Sequence, residues 1–190
     1  MQLILASNSP RRKELLQSKG LNFKVIVSNY NEISFTDDPI ETAKSFALGK
    51  AKEVFERLSV KEGVVVLGAD TVVYHQGKIL GKAETQDQAK KMLKSLSGKT
   101  HSVFTGYAFI TEKKTITGYS ESKVKFNELN DDTINSYVNS GLYKGKAGSY
   151  GIQDGYPLVE SYVGSYENIV GLPSDEIIDI LTSIEKEKNG

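Results

Sequence analysis

Gly63-Val64-Val65-Val66-Leu67-Gly68-Ala69-Asp70-Thr71 is the stretch on which the fold turns. Its first seven residues form a short apolar run, rich in β-branched side chains, of the kind found in strands buried on both faces. A strand covered on both sides requires helices above and below the sheet, and the flanking sequence supplies them. Upstream, residues 2–6 read as a second buried strand. They lead through a polar turn into a helix capped by Ser9, started by Pro10, carrying Leu15 and Leu16, and stopped by Gly20. Residues 23–27 read as a third strand. Pro39 starts a longer helix whose Ile40, Ala43, Phe46, Ala47, Ala51, Val54, Phe55 and Leu58 recur at helical spacing.

Downstream, His75-Gln76-Gly77 reads as a β-turn, and Thr85 with Gln88 forms a capping box for a helix through Ala89, Met92, Leu93 and Leu96 that Gly98 closes. Residues 101–111 and 115–126 read as an antiparallel pair joined by Glu112-Lys113-Lys114. A short helix through Ile134 and Val138 precedes the glycine-rich residues 144–156. Residues 158–163 and 169–172 read as strands, and a final helix starts at Ser174, with Asp175 and Glu176 at its start and Lys186 and Lys188 at its end to complement the helix dipole. The expected fold is α/β: a mixed β-sheet flanked by helices, with the long hairpin as a β-rich second lobe and a cleft between the lobes, all within one domain over residues 1–190.

Composition narrows the function. With 24 basic and 24 acidic residues the formal net charge is zero, so no global positive field exists to hold a nucleic-acid backbone, and an anion site must be local. The absence of cysteine removes thiol nucleophiles, disulfides and cysteine-based zinc sites together. No run approaches the length of a membrane span and no signal-peptide pattern opens the chain, so a soluble, cytoplasmic protein without membrane or nucleic-acid partners is expected.

Several segments bear chemistry. Ser7-Asn8-Ser9-Pro10-Arg11-Arg12 puts hydroxyls and two guanidiniums at a helix N-terminus, a place that favours phosphate, although a capped helix with solvated arginines reads the same. Asp70, expected at a strand's carboxyl end, can hold a metal, activate water, or merely bond its own backbone as a turn residue. Lys82 and Lys50 offer point charges to phosphate or lie on the surface. Lys144 to Gln153 is a tight glycine-rich turn in which Gln153 can donate to and accept from a base edge. It lacks the spacing of a Walker loop, and no dinucleotide fingerprint or serine-hydrolase elbow is present.

Read in order, Ser7-Asn8-Ser9-Pro10-Arg11-Arg12, Gly68-Ala69-Asp70-Thr71, Gly98-Lys99-Thr100-His101-Ser102-Val103, Lys146-Ala147-Gly148-Ser149-Tyr150-Gly151-Ile152-Gln153 and Val170-Gly171-Leu172-Pro173 resemble the Maf family over essentially the whole chain. The resemblance implies a fold shared in outline with inosine triphosphate pyrophosphatases and hydrolysis of the α–β anhydride of nucleoside triphosphates. It implies that Asp70 is the proton acceptor, with Lys82 beside it in the catalytic set. Ser7, Arg11, Arg12, Lys50, Thr71 and Gln153 would bind substrate, and Glu32 with Asp70 would hold a divalent cation, Mg²⁺ or Mn²⁺. Arg11, Thr71 and Gln153 are similar to the branch acting on dTTP and UTP, with modified pyrimidine nucleotides as further substrates. A 7-methyl-GTP pyrophosphatase and a nucleotide-binding regulator of cell division or septum formation are the alternatives. The resemblance also implies a homodimer. Three positions depart from the family pattern: Ala83 where proline often follows the lysine, Ser149 where alanine is usual, and Asp154 where glycine is usual, the last adding a negative charge beside Gln153.

Overall fold

A computed structural model describes residues 1–189, with the side chains of Lys188 and Asn189 excepted; Gly190 and the terminal charge expected from Lys188 lie outside the described residues. The strands are β1 (Gln2–Leu5), β2 (Phe23–Val25), β3 (Val64–His75), β4 (Lys78–Leu80), β5 (Thr100–Ile110), β6 (Thr115–Phe126) and β7 (Val159–Val163). The helices are α1 (Pro10–Ser18), α2 (Pro39–Arg57), α3 (Gln86–Leu96), α4 (Asp131–Asn139), α5 (Tyr166–Val170) and α6 (Ser174–Asn189). The strands join in one mixed sheet ordered β2-β1-β3-β5-β6-β7, with β4 on β3. β1 runs parallel to β2 and β3, and the remaining pairs are antiparallel.

Alternation along β3 divides the core. Val65, Leu67 and Ala69 pack against Leu16 of α1 and Ile177, Leu181 and Ile184 of α6. Val64 and Val66 face the opposite way, onto Ala47, Ala51 and Val54 of α2. Further along the strand, Val73 joins Leu93 and Leu96 of α3 and Ile134 and Val138 of α4. The long hairpin therefore stays in the sheet as its centre. It does not form a separate lobe as expected; the far part of β3, β5 and β6 shares one core cluster with α3 and α4.

Two glycines set how close α2 lies to the sheet. A Cβ on Gly68 would fall 2.2 Å from the Ala47 carbonyl oxygen, and one on Gly106 would fall 2.3 Å from the Ala43 carbonyl carbon. Backbone cannot give way as a flexible side chain can, so Gly106→Ala is expected to destabilise the fold by roughly 1–3 kcal/mol through overpacking. An unchanged denaturant midpoint would contradict this packing.

The structure corrects several expected boundaries. The central strand does not stop before Asp70: β3 runs on to His75 because β5 pairs with it from Val66 to Tyr74 and supplies ladder partners throughout. Residues 26 and 27 lie beyond β2, since its partner β1 ends at Leu5. Residues 169–172 are no strand. Ser165 caps α5 by accepting from the Asn168 amide, and Gly171 ends it at φ 141°. An apolar run that short has no decisive period, and the capping serine decided its state. The turn after His75 and the capping box at Thr85 are as expected.

Candidate active site

β1 pairs with β3 only as far as Leu67, and β4 pairs with the same edge only from Val73. The other edge belongs to β5, so residues 68–72 have no strand neighbour on the first edge. This gap is a notch in the sheet, and it gives the cleft access to both faces at once. Asp70 projects toward α2 and Thr71 toward the opposite face, as successive strand residues must. Asp70 thus lies in mid-strand and still beyond the carboxyl end of β1, which is how an interior position becomes a site.

The cleft holds a cavity of about 390 Å³ whose walls include Ser7, Arg11, Arg12, Glu32, Lys50, Asp70, Thr71, Lys82 and Gln153. Every residue singled out from the sequence for this site faces it. A second cavity adjoins through Glu32, Asp70, Thr71 and Lys82.

On the α2 side, the Lys50 ammonium bridges two carboxylates, at 2.8 Å from Asp70 Oδ1 and 2.7 Å from Glu32 Oε1. Asp70 is 6% exposed. Burial pushes its carboxyl above the ordinary aspartate range, against the pull of the Lys50 and Arg12 charges. Burial also pushes Glu32 upward, but there the hydrogen bond and charge of Lys50, with Lys82 and Arg12 behind them, win and hold it below its ordinary value. Two carboxylates on one lysine therefore take opposite shifts.

On the opposite side, Arg12 is a hub. Its Nε donates to the Gly171 carbonyl at 2.8 Å, its Nη2 to Thr71 Oγ1 at 3.0 Å, and its Nη1 to Ser7 Oγ at 3.5 Å. Thr71 Oγ1 lies 2.9 Å from Thr105 Oγ1, and the Thr105 hydroxyl donates to the Asn168 carbonyl at 3.1 Å. Arg11, the preceding residue on the helix, also lines the cleft and donates to the Gly145 carbonyl at 3.3 Å. Burial lowers both guanidiniums from the usual arginine value, offset by Asp154 for Arg11 and by Asp70 for Arg12. Both remain cationic in the physiological range. α1 begins at Pro10, which carries no N–H, with Ser9 as its cap accepting from the Arg12 amide, so the positive end of the helix dipole lies at the cleft wall.

Lys82 is exposed and reaches the cleft because its backbone forms a β-bridge with Ala147 in the glycine-rich loop. Gln153 is exposed on that loop. Asp154 does not add its charge beside Gln153. It turns inward, where the Lys146 ammonium meets both of its carboxylate oxygens at 2.8 and 2.7 Å. Ser149 takes a positive φ of 64° and is fully buried, with its hydroxyl 3.1 Å from Met92 Sδ.

Reading the sequence missed Thr105, Asn168 and the Gly171 carbonyl. The glycine of the Val170-Gly171-Leu172-Pro173 block was in view, but read as part of a strand it gave no reason to present a carbonyl to an arginine. Thr105 carries no sequence signal beyond its place in a strand.

His75 and His101 stand behind the cleft, both buried. His101 Nε2 lies 2.7 Å from the hydroxyl of Tyr150, a cleft wall residue. Burial, and secondarily His75, pushes His101 down to about 3 from 6.5. The unfolded chain therefore takes up a proton at this position that the native state refuses. The resulting stability is full above pH 6.5 and is lost as pH falls toward 3, at about 1.4 kcal/mol per pH unit. Denaturant unfolding followed across that window should be less acid-sensitive by that slope in His101→Gln than in the parent chain.

A mixed sheet with a notch, a buried carboxylate at the notch and cationic side chains around it define the class: an α/β protein with a cation-lined ligand cleft. The chain belongs to the Maf-like protein family, whose sequence model matches residues 2–184. It is 45% identical to the dTTP/UTP pyrophosphatase of Bacillus cereus strain G9842, covering 93% of this chain and 92% of that one. It is 46% identical, with the same coverage, to the dTTP/UTP pyrophosphatase of Bacillus thuringiensis subsp. konkukian strain 97-27. It is 42% identical, over 95% of both chains, to the dTTP/UTP pyrophosphatase of Thermoanaerobacter sp. strain X514. No helix among the described residues is long and apolar enough to cross a membrane.

Proposed function

We propose that this chain is a nucleoside triphosphate pyrophosphatase that hydrolyses dTTP, UTP and modified pyrimidine relatives to the monophosphate and pyrophosphate. One observation carries the reading: a buried carboxylate, Asp70, raised by its surroundings and tied to Lys50, faces a cleft lined by Arg11, Arg12, Lys82 and Gln153. The names of the relatives supply the substrate class.

In this reading Arg12, Arg11, Lys82 and the start of α1 balance the triphosphate charge, which grows on the leaving group as the bond breaks. Asp70 accepts a proton from the attacking water. The water oxygen joins the α-phosphorus while the α–β bridging oxygen departs with pyrophosphate. An ordinary aspartate is a weak base, so the upward shift at Asp70 suits it to the role. Lys50 holds the carboxylate in place. Gln153 reads the base edge with one donor and one acceptor.

The donors fit a divalent cation, Mg²⁺ or Mn²⁺. Lys50 engages one oxygen of Glu32 and one of Asp70, which leaves each carboxylate a second oxygen for another partner. No group of three or more His, Cys, Asp or Glu gathers as a metal cluster among the described residues, so phosphate and water would complete the shell, as Mg²⁺ prefers. Bound there, the cation would supply Lewis acidity toward phosphate oxygens and water.

The test is a panel of dTTP, UTP, 7-methyl-GTP and purine triphosphates with Mg²⁺ and with Mn²⁺, resolving pyrophosphate from orthophosphate. Pyrophosphate from dTTP and UTP, abolished by chelation, is the expected result. Orthophosphate alone would remove the reading, and faster turnover of 7-methyl-GTP would replace the substrate. The homodimer belongs to the same proposal, and sedimentation of the purified chain tests it.

A further inference from the structure

Gln153 sits in a turn that is held from below at both ends. The Asp154 amide donates to the Gly151 carbonyl at 3.1 Å, closing a β-turn with Gln153 inside it. The Tyr137 hydroxyl accepts from the Gly151 amide at 3.1 Å and donates to Asp154 Oδ2 at 2.7 Å, so one phenol ties the two ends together. The ammonium of Lys146 clasps both oxygens of the same carboxylate. The Lys146 and Asp154 side chains are 10% and 6% exposed, and Tyr137 is fully buried on α4. A Cβ on Gly151 would lie 2.6 Å from Asp154 Oδ2, so only glycine lets the carboxylate tuck beneath the turn. The same loop is fastened to the phosphate-side helix through Arg11 and the Gly145 carbonyl.

We propose that Tyr137, Asp154 and Lys146 form a lock that positions the Gln153 turn, making them positioning residues for selection of the nucleobase. The inference rests on the reading of Gln153 given above. None of the three need touch the reacting phosphate. What they fix is where a backbone turn presents its amide, and a buried network whose members are all satisfied holds such a position rigidly. An ion pair at this depth costs desolvation, and a positional role is a reason to retain it.

Tyr137→Phe removes the tie and keeps the ring. The loss of one buried hydrogen bond of about 1 kcal/mol translates to roughly a 3- to 10-fold effect. The KM for UTP should rise by that factor with kcat nearly unchanged, and the preference for UTP over purine triphosphates in kcat/KM should fall in parallel. Asp154→Asn, which leaves Lys146 without its counter-charge, should do the same more strongly, and it serves if Tyr137→Phe does not fold. A lowered melting temperature with unchanged KM and unchanged base preference overturns the lock as a positioning device, as does an equal loss of kcat for every nucleotide. Gln153→Ala in the same assay separates the two claims. If it flattens base preference while the Tyr137 and Asp154 variants do not, only the lock fails; if it leaves preference intact, the reading of Gln153 fails and the inference with it.

Discussion

Asp70→Asn is expected to lower kcat for pyrophosphate release by roughly 10²- to 10⁴-fold while the protein stays folded. The amide keeps the size of the carboxylate and loses its basicity. Lys50 keeps an anionic partner in Glu32 at 2.7 Å, so the substitution does not strand a buried ammonium, and removing a buried charge relieves the desolvation cost that raises Asp70. Circular dichroism and the denaturant midpoint should therefore stay near those of the parent chain while turnover collapses. Retained turnover in a folded Asp70→Asn protein would take Asp70 out of the chemistry. Loss of both fold and activity would make it structural.

Arg12→Lys, a change usually called conservative, should cost kcat/KM on the order of 10²- to 10⁴-fold. A guanidinium offers several fixed donors, and here they reach Gly171, Thr71 and Ser7 at once. An ammonium cannot span those three acceptors and still face a phosphate. Two charge-assisted bonds at about 1.5–3 kcal/mol each set the scale. The effect should divide between KM and kcat, because in the proposed reaction Arg12 would meet both the ground-state triphosphate and the growing charge on pyrophosphate. Arg11→Lys should be milder, since only one weak bond to Gly145 orients that side chain. Equal losses at the two positions would contradict the hub arrangement.

The site was unevenly legible in the sequence. Ser7, Arg11 and Arg12 could be placed because a capped helix start after a buried strand has a recognisable grammar of serine, proline and periodic leucines. Asp70 was found by its position after an apolar run, yet that reading put it at a strand end, because the β5 partners that carry β3 onward, from Gly106 opposite Asp70 to Ser102 opposite Tyr74, lie far along the chain. Lys82 and Gln153 could be matched only through ordered motifs, since nothing local distinguishes them from surface residues. Asp154 was expected to add a negative charge beside Gln153. Its partner Lys146 lies eight residues away, and no periodicity announces that a loop lysine will turn inward.

Local order was written in the chain itself: the caps at Ser9 and Thr85, the helical spacing from Ile40 to Leu58, the β-turn at Gln76-Gly77 and the apolar strand around Val65. These depend on dihedral preference and on the burial of one face, which neighbouring residues settle among themselves. The tertiary structure decided the notch between β1 and β4, the opposite shifts of Asp70 and Glu32 on one lysine, and the inward turn of Asp154. Each of these arises from groups brought together by the fold at low solvent exposure, where a partner's distance and the loss of water determine charge and position together.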